Sequence, residues 1–225
     1  MSQNANRRRP VDARGSASVR SLAAWLARRG VPPNAISAAS VVFSAFAGAA
    51  ILAASTRLGA ERIELFILTA VLIEARLLAN LLDGLVAVEG GRGSKSGEIW
   101  NELPDRFSDA IVLIAAGYAS GLASGTVVVG MWSPALGWAA ALAAVTTAYV
   151  RALGSAAGAN AHFEGPMAKQ RRMETLAAGC VVAAFEPGWA WNGESLFLAL
   201  VLILIGSLVT IARRTLAVVR DLETR

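Results

Sequence analysis

The 225-residue chain has a single cysteine and a single histidine. One cysteine excludes an intrachain disulfide, and the apolar surroundings of Cys180 make it a packing residue. His162 and Cys180 lie far apart, so the clustered Cys or His ligands that zinc prefers are missing. Charge is also scarce. Asp, Glu, Lys and Arg make up 16% of the chain, against roughly a quarter in soluble domains. Residues 1–17 are polar and basic without the apolar stretch of a secretory signal. Internal repeats and a Walker arrangement are lacking too. The Gly90–Lys95 stretch is glycine-rich and basic enough to approach a phosphate but is weak as a nucleotide signal.

Apolar surface is abundant. Hydrophobic residues are 55% of the chain and the mean hydropathy is +0.52. Six apolar runs stand out, at about residues 36–55, 63–82, 110–129, 135–150, 176–191 and 196–211; a bilayer span takes roughly 17 to 25 residues. The two runs at 135–150 and 176–191 need their flanks to complete a span. Ahead of them Val19, Leu22, Trp25 and Leu26 share one helical face flanked by Arg20, Arg28 and Arg29, which suits a helix lying on the membrane. Pro32-Pro33-Asn34 separates that helix from the first span, with Asn34 as its expected cap. The expected fold is an all-α integral membrane protein, six transmembrane helices preceded by an amphipathic interfacial helix. Residues 1–17 read as a disordered basic arm drawn to anionic lipid, and 18–225 as one six-helix membrane domain in which 18–30 is the interfacial helix. Ala, Gly and Ser crowd every span and allow close helix packing.

If six spans alternate, the 21 Lys and Arg fall on one side, except Arg57 and Arg62 on the other and Arg76 and Arg106 within or beside helices. The positive-inside rule then puts both termini in the cytoplasm, in an integral cell membrane. Trp132, Trp138, Trp189 and Trp191 fall near the opposite interface as an aromatic belt.

The stretch from Asn80 to Asp109 breaks the apolar pattern with Asp83, Glu89, Glu98, Asn101, Glu102, Asp105 and Asp109. Ionisable groups at membrane depth are costly unless they pair, bind metal or face water. At 100° per residue, Arg76, Asn80, Asp83 and Ala87 share one helix face, and Glu98, Asn101, Asp105 and Asp109 share another. Two antiparallel helices can thus turn oxygen ligands toward one space on the cytoplasmic side. That chemistry suits a hard divalent cation, Mg²⁺ or Mn²⁺.

The spacing resembles the signature of the CDP-alcohol phosphotransferase family, DxxDGxxAR, eight residues, then GxxxDxxxD. Here it reads Asn80-x-x-Asp83-Gly84-x-x-Ala87-Val88, eight residues to Gly97, then Asn101 and Asp105. Asn80 and Asn101 replace Asp, and Val88 replaces Arg. The six spans, the Pro-Asn entry to the first and the basic stretch after the fourth fit the family as well. The resemblance implies an enzyme of phospholipid synthesis that moves a phosphatidyl group from a CDP-linked lipid donor, commonly CDP-diacylglycerol, to an alcohol acceptor with release of CMP. It implies one or two Mg²⁺ or Mn²⁺ ions held by Asp83, Asp105, Asn80 and Asn101, with Asp105 also the catalytic base. Gly84, Ala87 and Gly97 would shape the nucleotide site, and the protein would be a homodimer in the bilayer. No nucleic-acid partner is expected.

The substitutions remove two negative charges from the motif and one cation. Glu98, Glu102, Glu89 and Asp109 are close enough in sequence to compensate, and Arg76 could replace the missing arginine. Arg151, Lys169, Arg171 and Arg172 are candidates to contact phosphate or the acceptor, although most such residues only fix topology. Blander roles are open for several residues. Asn101 could cap a helix whose first turn holds Pro104; Glu102 and Arg106 could simply pair. Asp109 could serve as packing glue, Glu74 could partner another helix, and His162 reads as a solvated loop residue. A catalytically silent relative that binds lipid, nucleotide or a partner is the alternative function. A cation transporter ranks last, because the acids gather at one end of the spans.

Overall fold

The first corner of the chain is set by a glycine and two prolines. The computed structural model describes residues 16–89, 96–163 and 165–224. Residues 1–15 of the basic arm, the Gly90–Lys95 link with Arg92 and Lys95, and the side chains of Glu89 and Glu98 lie outside the described residues. Helix α1 spans Ala17–Arg28. It stops because Gly30 takes a left-handed φ of 78°, which lets Gly30 N–H bond the Ala27 carbonyl and Val31 N–H the Leu26 carbonyl. This is the glycine-terminated helix end that satisfies the last carbonyls. Pro32 is extended and Pro33 begins α2, Pro33–Ser55. Asn34 therefore lies inside α2 instead of capping it, since Pro33 already supplies the fixed φ of a first helical residue.

The interfacial helix divides its apolar residues between two surroundings. Val19, Ala23, Leu26 and Ala27 pack with Ala79, Leu82 and Val86 of α3, Gly59–Glu89. Leu22 and Trp25 are exposed, with the Arg29 guanidinium 5.1 Å from the Trp25 ring centre. The single face expected from spacing is thus corrected to an inward edge completed by small alanines and an outward edge of large residues. Small side chains win the inward positions because they let the two helices approach.

The remaining helices are α3 Gly59–Glu89, α4 Gly97–Ala123, α5 Val127–Ala156, α6 Lys169–Phe185 and α7 Glu194–Glu223. Among the described residues α2, α3, α5 and α7 are long and apolar enough to cross a membrane. Helix α4 opens with acids, and α6 is 17 residues long and opens on Lys169, Arg171 and Arg172. The polar helices are the ones that carry the site. Two expected boundaries are corrected. The run at 110–129 crosses a turn at Ser124–Thr126, held by Thr126 N–H to Ser124 Oγ at 3.0 Å. The run at 176–191 ends its α-helix at Phe185, and Glu186–Trp189 form a short 3₁₀ turn.

The helices close a ring in the order α3, α2, α4, α5, α7, α6 and back to α3, with α1 laid against α3. Phe66, Ile51, Leu113, Leu176, Leu200 and Ile203 fill its centre. Helices α3 and α4 have little direct backbone approach, so a space remains between them. Helices α4 and α5 lie far closer. A Cβ on Gly137 would stand 2.9 Å from Gly117 Cα, and one on Gly117 would stand 2.6 Å from the Ser133 carbonyl oxygen.

A polar lock closes the end of the bundle away from the acidic cluster. Arg62 Nη2 donates to Glu186 Oε1 at 2.8 Å and to the Ala183 carbonyl at 3.1 Å. Glu186 also accepts from Gly193 N–H and from Ser195 N–H at 3.1 Å. Ser120 Oγ donates to the Gly193 carbonyl at 2.7 Å, which fixes the α6–α7 corner on the end of α4. Trp132, Trp138, Trp189 and Trp191 are all exposed, as an interfacial belt requires.

Replacing Gly137 by Leu should push α4 and α5 apart, because backbone on both sides cannot yield. The expected loss is about 1–3 kcal/mol or more. Thermal unfolding in detergent should show a lowered midpoint for Gly137→Leu, while Gly125→Ala, whose Cβ meets nothing within 4 Å, should match the parent.

Candidate active site between α3, α4 and α6

The site begins with the ends of helices. The start of α2, the end of α3, the starts of α4 and α6 and the end of α5 meet at one pole, and each brings a polar residue there. Helix α4 already closes its first turn at Ser96, whose carbonyl accepts from Ile99 and Trp100. Asn101 is therefore within the helix, and its expected role as cap is corrected; Pro104 is likewise internal. This early start sets the phase of the acids. Asp105 and Asp109, one turn apart, are both buried, at 5% and 1% exposure.

Asp109 is saturated. Arg76 Nη2 donates to its Oδ1, and Arg172 Nη2 donates to its Oδ2 at 2.6 Å. Arg76 also reaches the Asp105 carbonyl at 3.3 Å. One carboxylate thus ties α3, α4 and α6 together across the space between them. This is the packing role foreseen for Asp109, with two arginines as its partners. Both arginines are almost fully buried, and Nε and Nη1 of each make no hydrogen bond.

Asp83 and Asp105 are only half used. Ser37 Oγ, one turn into α2, donates to Asp83 Oδ2 at 2.6 Å, and Asp83 Oδ1 is buried without a hydrogen-bond partner. Asp105 Oδ2 accepts from Lys169 Nζ and lies 3.6 Å from Arg106 Nη2. Asp105 Oδ1 also lacks a hydrogen-bond partner, with Arg76 Nη2 at 3.7 Å. Buried carboxylate oxygens left unpaired are costly, and a hard cation coordinated by oxygen would satisfy both.

The other anticipated residues separate into groups. Asn80 is half-buried beside Asp83 in sequence, whereas Asn101 is exposed. Gly84 faces open space, since a Cβ there meets nothing within 4 Å; Ala87 and Gly97 are half-buried. Glu102 does pair with Arg106, at 3.7 Å, and more closely with Arg151 at 2.6 Å. Arg151 also lies over the Phe163 ring at 5.4 Å. Lys169 and Arg172 enter the cluster, but Arg171 is exposed because one residue along a helix turns a side chain by about 100°. Glu74 is exposed and senses Glu174 of α6. His162 is corrected from a solvated loop residue to a half-buried one, its Nε2 3.6 Å from Asp221 Oδ2.

Ser37 and the Arg62–Glu186 lock were missed in the sequence. The only signal for Ser37 is a hydroxyl at the polar end of the first apolar run. Among the described residues, no group of three His, Cys, Asp or Glu forms a ready-made metal cage.

No protein-family model and no curated protein matches the chain. Solved structures do match in fold. The crystal structure of Mycobacterium tuberculosis phosphatidylinositol phosphate synthase (PgsA1) with CDP-DAG bound superposes with a TM-score of 0.70 and 20% identity, over 90% of this chain and 94% of that one. The same enzyme in complex with manganese and citrate gives 0.67 at 20% identity, over 89% and 88% of the two chains. Its apo form gives 0.66 at 20% identity, over 88% and 94%. At 20% identity these matches show a shared fold.

Asp109→Asn should be costly to the fold, because it leaves two buried guanidinium groups without their carboxylate. A loss of about 3–5 kcal/mol is expected. Asp83→Asn, with one neutral hydroxyl partner, should cost about 1 kcal/mol. Thermal unfolding of the two variants side by side in detergent checks the difference.

Proposed function

We propose that the chain is an integral membrane phosphotransferase that moves a phosphatidyl group from a CDP-linked donor of the CDP-diacylglycerol class to an alcohol, releasing CMP. All six helices α2–α7 cross the bilayer in this reading, with both termini and the site on the cytoplasmic side. The observation that carries it is the pair Asp83 and Asp105, each buried with one oxygen that accepts no hydrogen bond, at motif positions within a fold shared with PgsA1. Beside Asp83 runs an apolar groove of about 390 Å³ lined by Leu26, Val31, Ile36, Phe43, Leu78 and Leu82. A lipid donor needs such a polar site next to an apolar channel.

The residues have separable tasks. Ser37 holds the Asp83 carboxylate in place through Oδ2 and leaves Oδ1 pointing at the site. A divalent ion held by Asp83 and Asp105, with Asn80 and Asn101 as neutral oxygen donors, would neutralise charge on the pyrophosphate and favour departure of CMP. Asp105 takes the proton of the acceptor hydroxyl as its oxygen bonds the phosphorus nearest the lipid and the bond to the CMP oxygen breaks. Lys169, Arg106 and Arg151 line the mouth and bind anionic oxygens. Gly84 leaves room for the nucleotide on the α3 side.

A silent, binding-only relative is the second reading, favoured by the Lys169 and Arg106 contacts, which occupy Asp105 Oδ2. Purified protein with CDP-diacylglycerol, Mn²⁺ and a panel of alcohols separates the two. CMP release from the native chain, reduced at least about 100-fold by Asp105→Asn, supports the transferase. The silent reading holds instead if turnover emerges only after Asn80→Asp, Asn101→Asp and Val88→Arg are made together.

A further inference from the structure

We infer that this site is built for a single divalent cation, and that the Lys169 ammonium on Asp105 fills the place a second ion would take. The inference rests on the metal-binding reading just proposed and concerns only how the chain's own charges shape that site.

The two carboxylates at motif positions offer four oxygens, of which two accept hydrogen bonds and a third, Asp105 Oδ1, lies 3.7 Å from Arg76 Nη2. Asp83 Oδ2 is held by Ser37 at 2.6 Å. Asp105 Oδ2 is held by Lys169 Nζ, with Arg106 Nη2 3.6 Å away. The other oxygens, Asp83 Oδ1 on α3 and Asp105 Oδ1 on α4, are buried and accept no hydrogen bond. A pair of catalytic ions sits about 3.5–4 Å apart and needs carboxylates that bridge them with both oxygens. An Asp105 oxygen facing an ammonium has to give up that contact before it can bridge two ions.

Charge leads to the same result. Asn80 and Asn101 are neutral, and Asp109 between Arg76 and Arg172 leaves one positive charge over. Two dications beside Lys169 would leave positive charge far above what Asp83 and Asp105 supply, at separations where repulsion is strong. With Arg106 also beside Asp105, one dication already leaves an excess that an anionic pyrophosphate has to offset, and a second would add two more charges to it. Lys169 is also no accidental visitor. It is the first residue of α6, a helix anchored one turn later by the buried Arg172, so its ammonium is delivered to Asp105 by the same clamp that fixes the bundle.

The test is a Mn²⁺ titration of the full-length protein in lipid nanodiscs with CDP present, followed by electron paramagnetic resonance. The native chain should bind one Mn²⁺ per protomer with the spectrum of an isolated ion. Lys169→Gln should still bind one, about tenfold more tightly, since a neighbouring positive charge is gone. Asn80→Asp, Asn101→Asp and Lys169→Gln combined should bind two with the broadened spectrum of a coupled pair. Two coupled ions in the native chain overturn the inference while leaving the transferase reading intact. No Mn²⁺ bound to the native chain overturns it too, as does an affinity indifferent to Lys169→Gln in protein that elutes as a single folded species. Loss of the transferase reading is seen separately, as absence of CMP from a native chain that binds its one ion.

Discussion

Asp109 lies buried between guanidinium groups from two other helices. Removing either arginine would leave a buried carboxylate half satisfied, and removing the acid would leave two cations facing each other. Such a triad contributes less to net stability than its Coulomb energy suggests, because all three groups were desolvated to form it. Its larger effect is geometric. Helices α3 and α4 hardly touch through their backbones, and the side chains of Arg76 and Asp109 span the gap that packing leaves.

The far end of the bundle uses the same device for a different purpose. Arg62 and Glu186 are buried and paired, and Glu186 also receives backbone amides from the corner that begins α7. Between the two poles the helices are held by small-residue contact, most tightly where Gly117 meets Gly137. Lipid gives little hydrophobic drive for helices to associate, so close van der Waals approach and buried polar links must supply it. A bundle stiff at both poles can keep two half-satisfied carboxylates from collapsing onto the nearest cation.

Local spacing made part of this legible. Asp83, Gly84, Gly97 and Asp105 are recognisable because their separations are those of two helices joined by a short link, and because acids stand out in an apolar chain. Six runs of apolar residues announced the six long helices, although their ends were misplaced where a polar turn (Ser124–Thr126) was still apolar on average. Contacts distant in sequence were not legible. Ser37 meets Asp83 46 positions away and Arg62 meets Glu186 124 positions away, and no periodicity links such pairs. Helical phase was the other blind spot. Arg171 and Arg172 read alike in a basic stretch, yet one is exposed and one is buried, and only the start of α6 decides which. The same uncertainty of one turn made Asn101 look like a cap until α4 was found to begin at Gly97.

Asp105 and Asp109 are the same residue type one helical turn apart, and their different fates follow from which cations reach them. Asp109 meets two arginines, whose planar, permanently charged groups occupy both oxygens from fixed directions. Asp105, nearer the mouth, meets a lysine through one oxygen. An ammonium on a flexible stem is a point charge that can move aside or turn to a passing anion. The inner acid is thereby committed to structure while the outer one keeps an oxygen for a ligand. Neutral amides at 80 and 101 are consistent with this division. With aspartates there, the empty site would carry unpaired negative charge at membrane depth unless ions were always bound; with asparagines, Lys169 and Arg106 come near to balancing it alone.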